Sequence, residues 1–233
     1  MSGPMKASET LVINRDLGWY RYLVHNRSVT GSLFTLLHLP FMLAFLSLVL
    51  LGTFTVAKID QTVLLLSLAA VAAMLYGEHM MDDTTQVGKP WRTVFSDRTL
   101  TFLGIGLDVV AAGIGLYASY RFGTALPIVG VSLGIVFCTL YGLEKWKFHQ
   151  VWFGALGMGA IAMFSYLAQT VIAGQTPDAP VTLLLLGTGF TFSYVLLGLY
   201  EYTKRDGSRV IWNILGGQFA LSYLLGLAVL WFR

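Results

Sequence analysis

The sequence predicts an all-α membrane protein, a polytopic helix bundle with about seven transmembrane helices. Of its 233 residues, 56% are hydrophobic and only 12% are charged, whereas charged residues make up about a quarter of an ordinary soluble domain. The mean hydropathy is +0.69, and long runs without Asp, Glu, Lys or Arg recur along the chain. We therefore expect a lipid bilayer as its surroundings and no nucleic acid as a partner.

Residues 1–27 precede the first apolar run and form a predicted cytoplasmic N-terminal segment. The segment lacks the short apolar core and small-residue cleavage site of a signal peptide. Its residues 11–27 mix aromatic with basic side chains, which suits a short helix lying on the membrane surface. Residues 28–233 are predicted to form a single transmembrane helical domain. The one cysteine, Cys138, lies inside an apolar run, so the fold does not depend on an internal disulfide.

Seven apolar runs are long enough, or nearly long enough, to cross about 30 Å of hydrocarbon as helices. They comprise residues 28–57, 61–77, 99–120, 122–143, 148–177, 179–200 and 210–232. The second run is short, and it becomes a full span if its helix continues through Glu78 and Asp82. That continuation would place the acids at the membrane boundary, facing protein and not lipid.

The basic residues predict the orientation of the bundle, because lysine and arginine accumulate in cytoplasmic loops. Twelve of the fifteen lie in the N-terminal segment and in the second, fourth and sixth loops. We therefore predict a multi-pass protein of the cytoplasmic membrane, with its N-terminus in the cytoplasm and its C-terminus outside. The polar residues of these three loops would then converge over one mouth of the bundle, above a cavity that accepts an apolar tail.

The stretch 74–100 carries seven charged residues between two apolar runs. Glu78, Asp82 and Gln86 recur every four residues, so a helix there would carry them as one stripe, with His79 and Asp83 on the adjacent stripe. A cation or a cluster of basic residues would relieve the repulsion between the acids, and Mg²⁺ prefers such oxygen ligands. Basic residues that suit a phosphate follow at once, namely Lys89, Arg92 and Arg98. The alternative is a solvated loop between two membrane helices.

This stretch resembles the first acidic motif of the UbiA-type intramembrane prenyltransferases, N-x-x-x-D-x-x-x-D followed by a basic residue, proline and arginine. Glu78 stands at the family's Asn, Asp82 at the middle Asp and Gln86 at the last Asp. The basic continuation of the motif is matched by Lys89, Pro90, Arg92, Ser96 and Arg98.

Two further motifs extend the resemblance. Tyr141 and Lys145 reproduce the family's Y-x-x-x-K motif, which Gln150, Gly154 and Gly157 continue into the next helix. The family's second D-x-x-x-D motif, with its preceding tyrosine, corresponds to a less similar stretch formed by Tyr200, Glu201, Tyr202, Lys204, Arg205 and Asp206. The best register pairs Glu201 with one Asp and Arg205 with the other.

The resemblance implies a UbiA-like fold and an Mg²⁺-dependent transfer of an isoprenyl chain from its diphosphate to an aromatic or other apolar acceptor. It implies Asp82, Tyr141 and Lys145 as catalytic residues. Substrate binding would fall to Lys89, Arg92, Arg98, Lys147, Tyr200 and Tyr202. The metal ligands would be Glu78, Asp82, Asp83, Glu201 and Asp206.

The sequence departs from the family at two positions of the acidic motifs. Gln86 lacks the charge of an Asp, and Arg205 would repel a cation; the family also has nine membrane helices, against seven runs in this chain. These departures leave a second interpretation open, a non-catalytic UbiA-fold subunit of a larger membrane complex that binds a lipid or quinone.

Asp108 interrupts the third apolar run and lies in the middle of a predicted membrane helix. An ionisable residue at that depth is a candidate for function, although a protonated acid bonded to a neighbouring helix is equally compatible with the sequence. We expect Asp108 to lie far from Glu78 and Asp82 along the membrane normal. Glycines such as Gly154, Gly157 and Gly159 predict close contacts between helices.

Overall fold

The computed structural model describes residues 28–37, 39–82, 84, 94–142 and 150–206. All regular secondary structure in these ranges is helical. The helices are α1 (Val29–Leu36), α2 (Leu39–Phe54), α3 (Gln61–Asp82), α4 (Asp97–Phe122), α5 (Leu126–Gly142), α6 (Val151–Ile172) and α7 (Ala179–Asp206). The N-terminal segment 1–27 and the last apolar run, 210–232, lie outside the described residues.

The first apolar run forms two helices and not one. α1 ends at Leu36 and α2 begins at Leu39, so the prediction of a single helix across 28–57 was wrong. The cause is Pro40, because proline lacks the backbone N–H and its ring collides with the carbonyl four residues earlier. In a continuous helix that carbonyl would belong to Leu36.

Polar caps and glycines, and not the ends of the apolar runs, determine where the helices begin and end. The Asp60 carboxylate accepts hydrogen bonds from the N–H groups of Thr62 and Val63, at 2.8 and 3.1 Å, at the start of α3. Ser96 accepts from the Thr99 N–H and caps α4, which ends at Gly123 with φ 66°. α3 continues to Asp82, which confirms the continuation of the short second run.

Four of the described helices are long and apolar enough to cross a membrane, namely α3, α4, α6 and residues 179–198 of α7. α2 and α5 are apolar but shorter. α4 exposes large apolar side chains such as Phe102 (64%) and Val109 (65%) along its length, a surface that suits lipid and not water. The chain therefore has the character of a helical membrane protein, while its seven spans and its orientation stay predictions.

The bundle is assembled around α3 and α6. α6 packs on α2, α5 and α7, and α3 packs on α2, α4 and α5. Glycines permit the closest crossings: a Cβ at Gly189 of α7 would collide with the Gly159 carbonyl oxygen of α6, and one at Gly77 would lie 2.8 Å from the Gly104 oxygen. The predicted close contacts at the glycines of α6 are thus confirmed.

One end of the bundle is held by a buried glutamine. Gln169 of α6, 1% exposed, accepts a hydrogen bond from the Asp60 N–H through Oε1 at 2.9 Å. Its Nε2 donates to the Asp60 carbonyl at 3.0 Å. The side chain thereby pairs both backbone groups of the residue that precedes α3.

Replacing Gln169 with leucine should lower the free energy of unfolding by about 1–3 kcal/mol, because two hydrogen bonds are lost and each contributes about 0.5–1.5 kcal/mol. Gln175→Leu is the matched control, because Gln175 is exposed in the turn after α6. Denaturant titration of the detergent-purified variants measures the effect. Equal stability of the two variants would contradict the role assigned to Gln169.

Candidate functional site

Acidic and polar side chains from three helices lie at one level of the bundle, in a layer that is partly buried. The layer comprises Glu78 of α3, Asp108 of α4, and Cys138, Thr139 and Tyr141 of α5; we call it the polar layer. A Cβ on Gly77 would lie 3.4 Å from Asp108 Oδ1, and Thr139 Oγ1 donates to Asp108 Oδ2 at 3.5 Å. Glu78 follows Gly77 on α3, and Cys138 precedes Thr139 on α5.

The expectation that Asp108 lies far from Glu78 was therefore wrong. Asp108 lies against Gly77, the residue before Glu78. Asp108 is eleven residues, about 16 Å, from the start of α4, and Glu78 is four residues, about 6 Å, from the end of α3. The two levels meet because α4 begins beyond the end of α3, so that Gly104 and Asp108 lie against Gly77.

The acids on α3 differ in their surroundings. Glu78 is only 3% exposed, whereas Asp82, the last residue of α3, is half-buried. They are one turn apart and share a face of the helix, as the sequence predicted for this pair. The His79 ring lies 5.2 Å from the Phe41 ring of α2, centroid to centroid. Asp83 and Gln86 lie outside the described residues.

An apolar cavity of about 360 Å³ lies between α3, α4, α5 and α6. It occupies the half of the bundle away from Asp82, with Val63 and Phe122 at its far end and Met74 and Phe137 at its near end. We expected a cavity directly beneath the charged loops. Lys89, Arg92, Lys145 and Lys147 of those loops lie outside the described residues, so this expectation stays a prediction.

The polar layer and the cavity occupy continuous faces of the same helices. Glu78 follows Met74 by one helical turn on α3, and Tyr141 follows Phe137 by one turn on α5. Residues four apart lie on one helix face and about 6 Å apart along the axis. The arrangement thus places buried carboxyl and hydroxyl groups about one turn beyond an apolar space.

The described side chains include four of the residues predicted for the site. Glu78 and Tyr141 lie in the polar layer, and Tyr141, 6% exposed, packs on Gly154 of α6. Asp82 lies one turn beyond Glu78. Arg98 is exposed in the first turn of α4, with its guanidinium 5.8 Å from the centre of the Phe102 ring.

The remaining predicted residues have no described side chains. Five lie outside the described ranges: Asp83, Lys89, Arg92, Lys145 and Lys147. Four others belong to the last turns of α7, where only the backbone is described: Tyr200, Glu201, Tyr202 and Asp206. The sequence predicts a loop at 201–209. α7 instead continues to Asp206, because residues such as Glu201, Lys204 and Arg205 favour a helix.

The described residues include some of the oxygen ligands that a magnesium ion needs. No group of three or more His, Cys, Asp or Glu side chains is arranged to hold a metal within the described ranges. Glu78 and Asp82 nevertheless supply the hard oxygen atoms that Mg²⁺ prefers, and this ion is commonly held by one or two carboxylates together with substrate phosphates. These two residues therefore fit a partial coordination shell, and the Mg²⁺ site stays a prediction.

Sequence reasoning did not assign Cys138 and Thr139 to the site. The one signal for Cys138 was its position three residues before Tyr141, because a helix brings residues three apart onto neighbouring positions of a face. Thr139, two residues before Tyr141, had no such signal. The contact between α5 and Asp108 depends on the position of α4 along the axes of its neighbours, which the sequence does not give.

The fold and the site define a helical membrane protein with a partly buried polar layer adjoining an apolar cavity. No protein-family model matches the chain, and no curated protein or solved structure is similar to it. The UbiA-type resemblance accordingly depends on the motifs in the sequence.

Proposed function

We propose that the protein is a membrane prenyltransferase that transfers an isoprenyl chain from its diphosphate to an aromatic or lipid acceptor. The observation that carries the proposal is the polar layer lying one helical turn from the apolar cavity on the same faces of α3 and α5. A substrate with a charged head and an apolar tail requires this combination, because each end needs a different environment.

In the proposed reaction, the bond between the allylic carbon and the diphosphate oxygen breaks, and its electron pair leaves with the diphosphate. The acceptor then forms a bond to the allylic carbon and releases its proton. Bound Mg²⁺ would neutralise the charge that builds on the leaving diphosphate. Glu78 and Asp82 would hold the ion, with Asp83, Glu201 and Asp206 as further ligands.

The other predicted residues would orient the substrate. Charge-assisted hydrogen bonds from lysine and arginine suit the diphosphate oxygens, and this role would fall to Lys89, Arg92, Arg98, Lys145 and Lys147. Tyr141, Tyr200 and Tyr202 would offer ring faces to the allylic cation, because the negative face of an aromatic ring attracts positive charge. The cavity walls would keep the apolar chain away from water.

Purified protein mixed with Mg²⁺ and farnesyl diphosphate should unfold at a higher temperature than the protein alone, and added acceptor should release diphosphate. A ligand at a hundred times its Kd stabilises the folded state by about 2.7 kcal/mol. Farnesyl diphosphate without Mg²⁺ and inorganic diphosphate with Mg²⁺ are the controls. A folded protein that gains no stability and releases no diphosphate with isoprenyl diphosphates of any chain length would refute the proposed enzymatic activity.

A non-catalytic subunit that binds a lipid or quinone is the second candidate. It is favoured by Gln86 and Arg205, which weaken both acidic motifs, and it uses the same cavity. This candidate predicts a lipid or quinone in organic extracts of the purified protein, together with membrane-complex subunits that copurify. Mg²⁺ would then change neither the stability nor the retention of the ligand.

A further inference from the structure

Large side chains that rest on glycines line the end of the cavity nearest the polar layer. Met74 of α3 lies on Gly134 of α5, where a Cβ would be 2.6 Å from the Met74 sulfur. Phe137 of α5 lies on Gly157 of α6, where a Cβ would be 2.5 Å from the Phe137 Cβ. All four residues line the cavity. We call Met74 and Phe137 the ceiling.

Along α3 and α5, the ceiling lies between the other lining residues and the polar layer. On α3, the lining residues run from Val63 to Met74 and Glu78 follows one turn later; on α5, they run from Leu126 to Phe137 and Tyr141 follows one turn later. A ligand with its head in the polar layer and its tail in the cavity would therefore extend past Met74 and Phe137.

The two ceiling residues differ in how readily they can move. Met74 is unbranched, with several rotatable bonds, so it can adopt new rotamers as a chain enters, and Gly134 leaves the space that this movement needs. Phe137 is held more firmly, because the contact with Gly157 involves its Cβ and its ring packs on Phe153 at 4.9 Å, centroid to centroid. The passage thus has one adjustable side and one fixed side.

We propose that Met74 and Phe137 select the apolar chains that this protein binds, with Met74 as the adjustable residue. The inference rests on the proposed function, in which the ligand's head lies in the polar layer. Isoprenyl chains carry methyl branches and are wider than straight alkyl chains. The width left beside Met74 therefore decides which of these chains can pass.

Gly134→Ala should narrow the passage, because the added methyl group displaces the Met74 sulfur, the outer part of a flexible side chain. Farnesol, which carries the isoprenyl chain without a reactive diphosphate, should bind at least about tenfold more weakly, equal to about 1.4 kcal/mol. Dodecanol, a straight-chain alcohol, should lose less affinity. Gly113→Ala is the matched control, because a Cβ there has no neighbour within 4 Å.

Met74→Ala should act in the opposite direction and admit farnesol at least as well as the wild type. In the double variant Met74→Ala/Gly134→Ala, the loss caused by Gly134→Ala should disappear, since the side chain that it displaces has been removed. Binding is measured by retention of labelled alcohol on purified protein, with thermal unfolding as a check that each variant is folded.

The outcomes separate this inference from the proposed function. If wild-type protein retains neither alcohol, the cavity is not an amphiphile site, and the proposed function fails together with the inference. If wild-type protein retains farnesol but Gly134→Ala binds both alcohols as the wild type does, only the selective role of the ceiling is overturned. The same conclusion follows if the effect of Gly134→Ala persists in the double variant.

Discussion

Replacing Gly189 with leucine is expected to separate α6 from α7 and to lower the free energy of unfolding by about 3 kcal/mol or more, the upper part of the range for overpacked cores. A side chain at this position would meet the Gly159 backbone, and the reverse contact is equally tight, since a Cβ at Gly159 would lie 2.5 Å from the Phe190 nitrogen. Backbone atoms cannot adopt another rotamer, so the helices themselves must move.

Gly187→Leu provides a control on the same helix. A Cβ at Gly187 has no neighbour within 4 Å, and a helical glycine is about 0.5–1 kcal/mol less favourable than alanine. Gly187→Leu should therefore leave stability unchanged or increase it. Thermal and denaturant unfolding of both variants in one detergent gives the comparison. Similar stabilities would show that α6 and α7 do not cross at these glycines.

On the proposed function, Asp82→Asn should reduce Mg²⁺-dependent transfer at least about a hundredfold, the loss typical when one group that stabilises developing charge is removed. Asp82 matches the acidic motif unchanged, and it lies at the end of α3, one turn beyond the buried Glu78. The asparagine variant should remain folded, because removing one of several neighbouring negative charges relieves repulsion. Mg²⁺-dependent diphosphate release and thermal unfolding are measured on the same preparation.

Gln86→Asp is the complementary variant, because it adds a charged oxygen ligand at the position where the motif lacks one. On the proposed function, it should tighten Mg²⁺ binding. In the non-catalytic alternative, Gln86→Asp should show no dependence on metal, and Asp82→Asn should lower stability by removing an ion pair with a basic residue. Wild-type rates in a folded Asp82→Asn variant would exclude a metal-binding role for Asp82.

Much of the helical architecture could be predicted from local sequence. The apolar runs indicated where the helices lie, and the acids at the end of the second run lie on a continuous α3 as expected. Pro40 divides the first run, and the charged residues after Tyr200 continue α7 to Asp206. Both differences follow from backbone chemistry that hydropathy ignores, since an apolar run records the preference for lipid but not the hydrogen bonds that continue or end a helix.

The sequence by itself determined that this chain is apolar and helical, that it concentrates acids after its second run, and that Glu78 and Asp82 share one helix face. Only the tertiary structure decided that Asp108 lies beside Gly77, the neighbour of Glu78, and that Met74 and Phe137 line the end of the cavity nearest the polar layer. The physical reason is that helix periodicity relates residues within one helix. The level at which two helices meet depends instead on how far one helix is displaced along the other, here called their relative sliding. Close contacts such as Gly77 on Gly104 set that sliding, and the spacing of residues along the chain does not encode it.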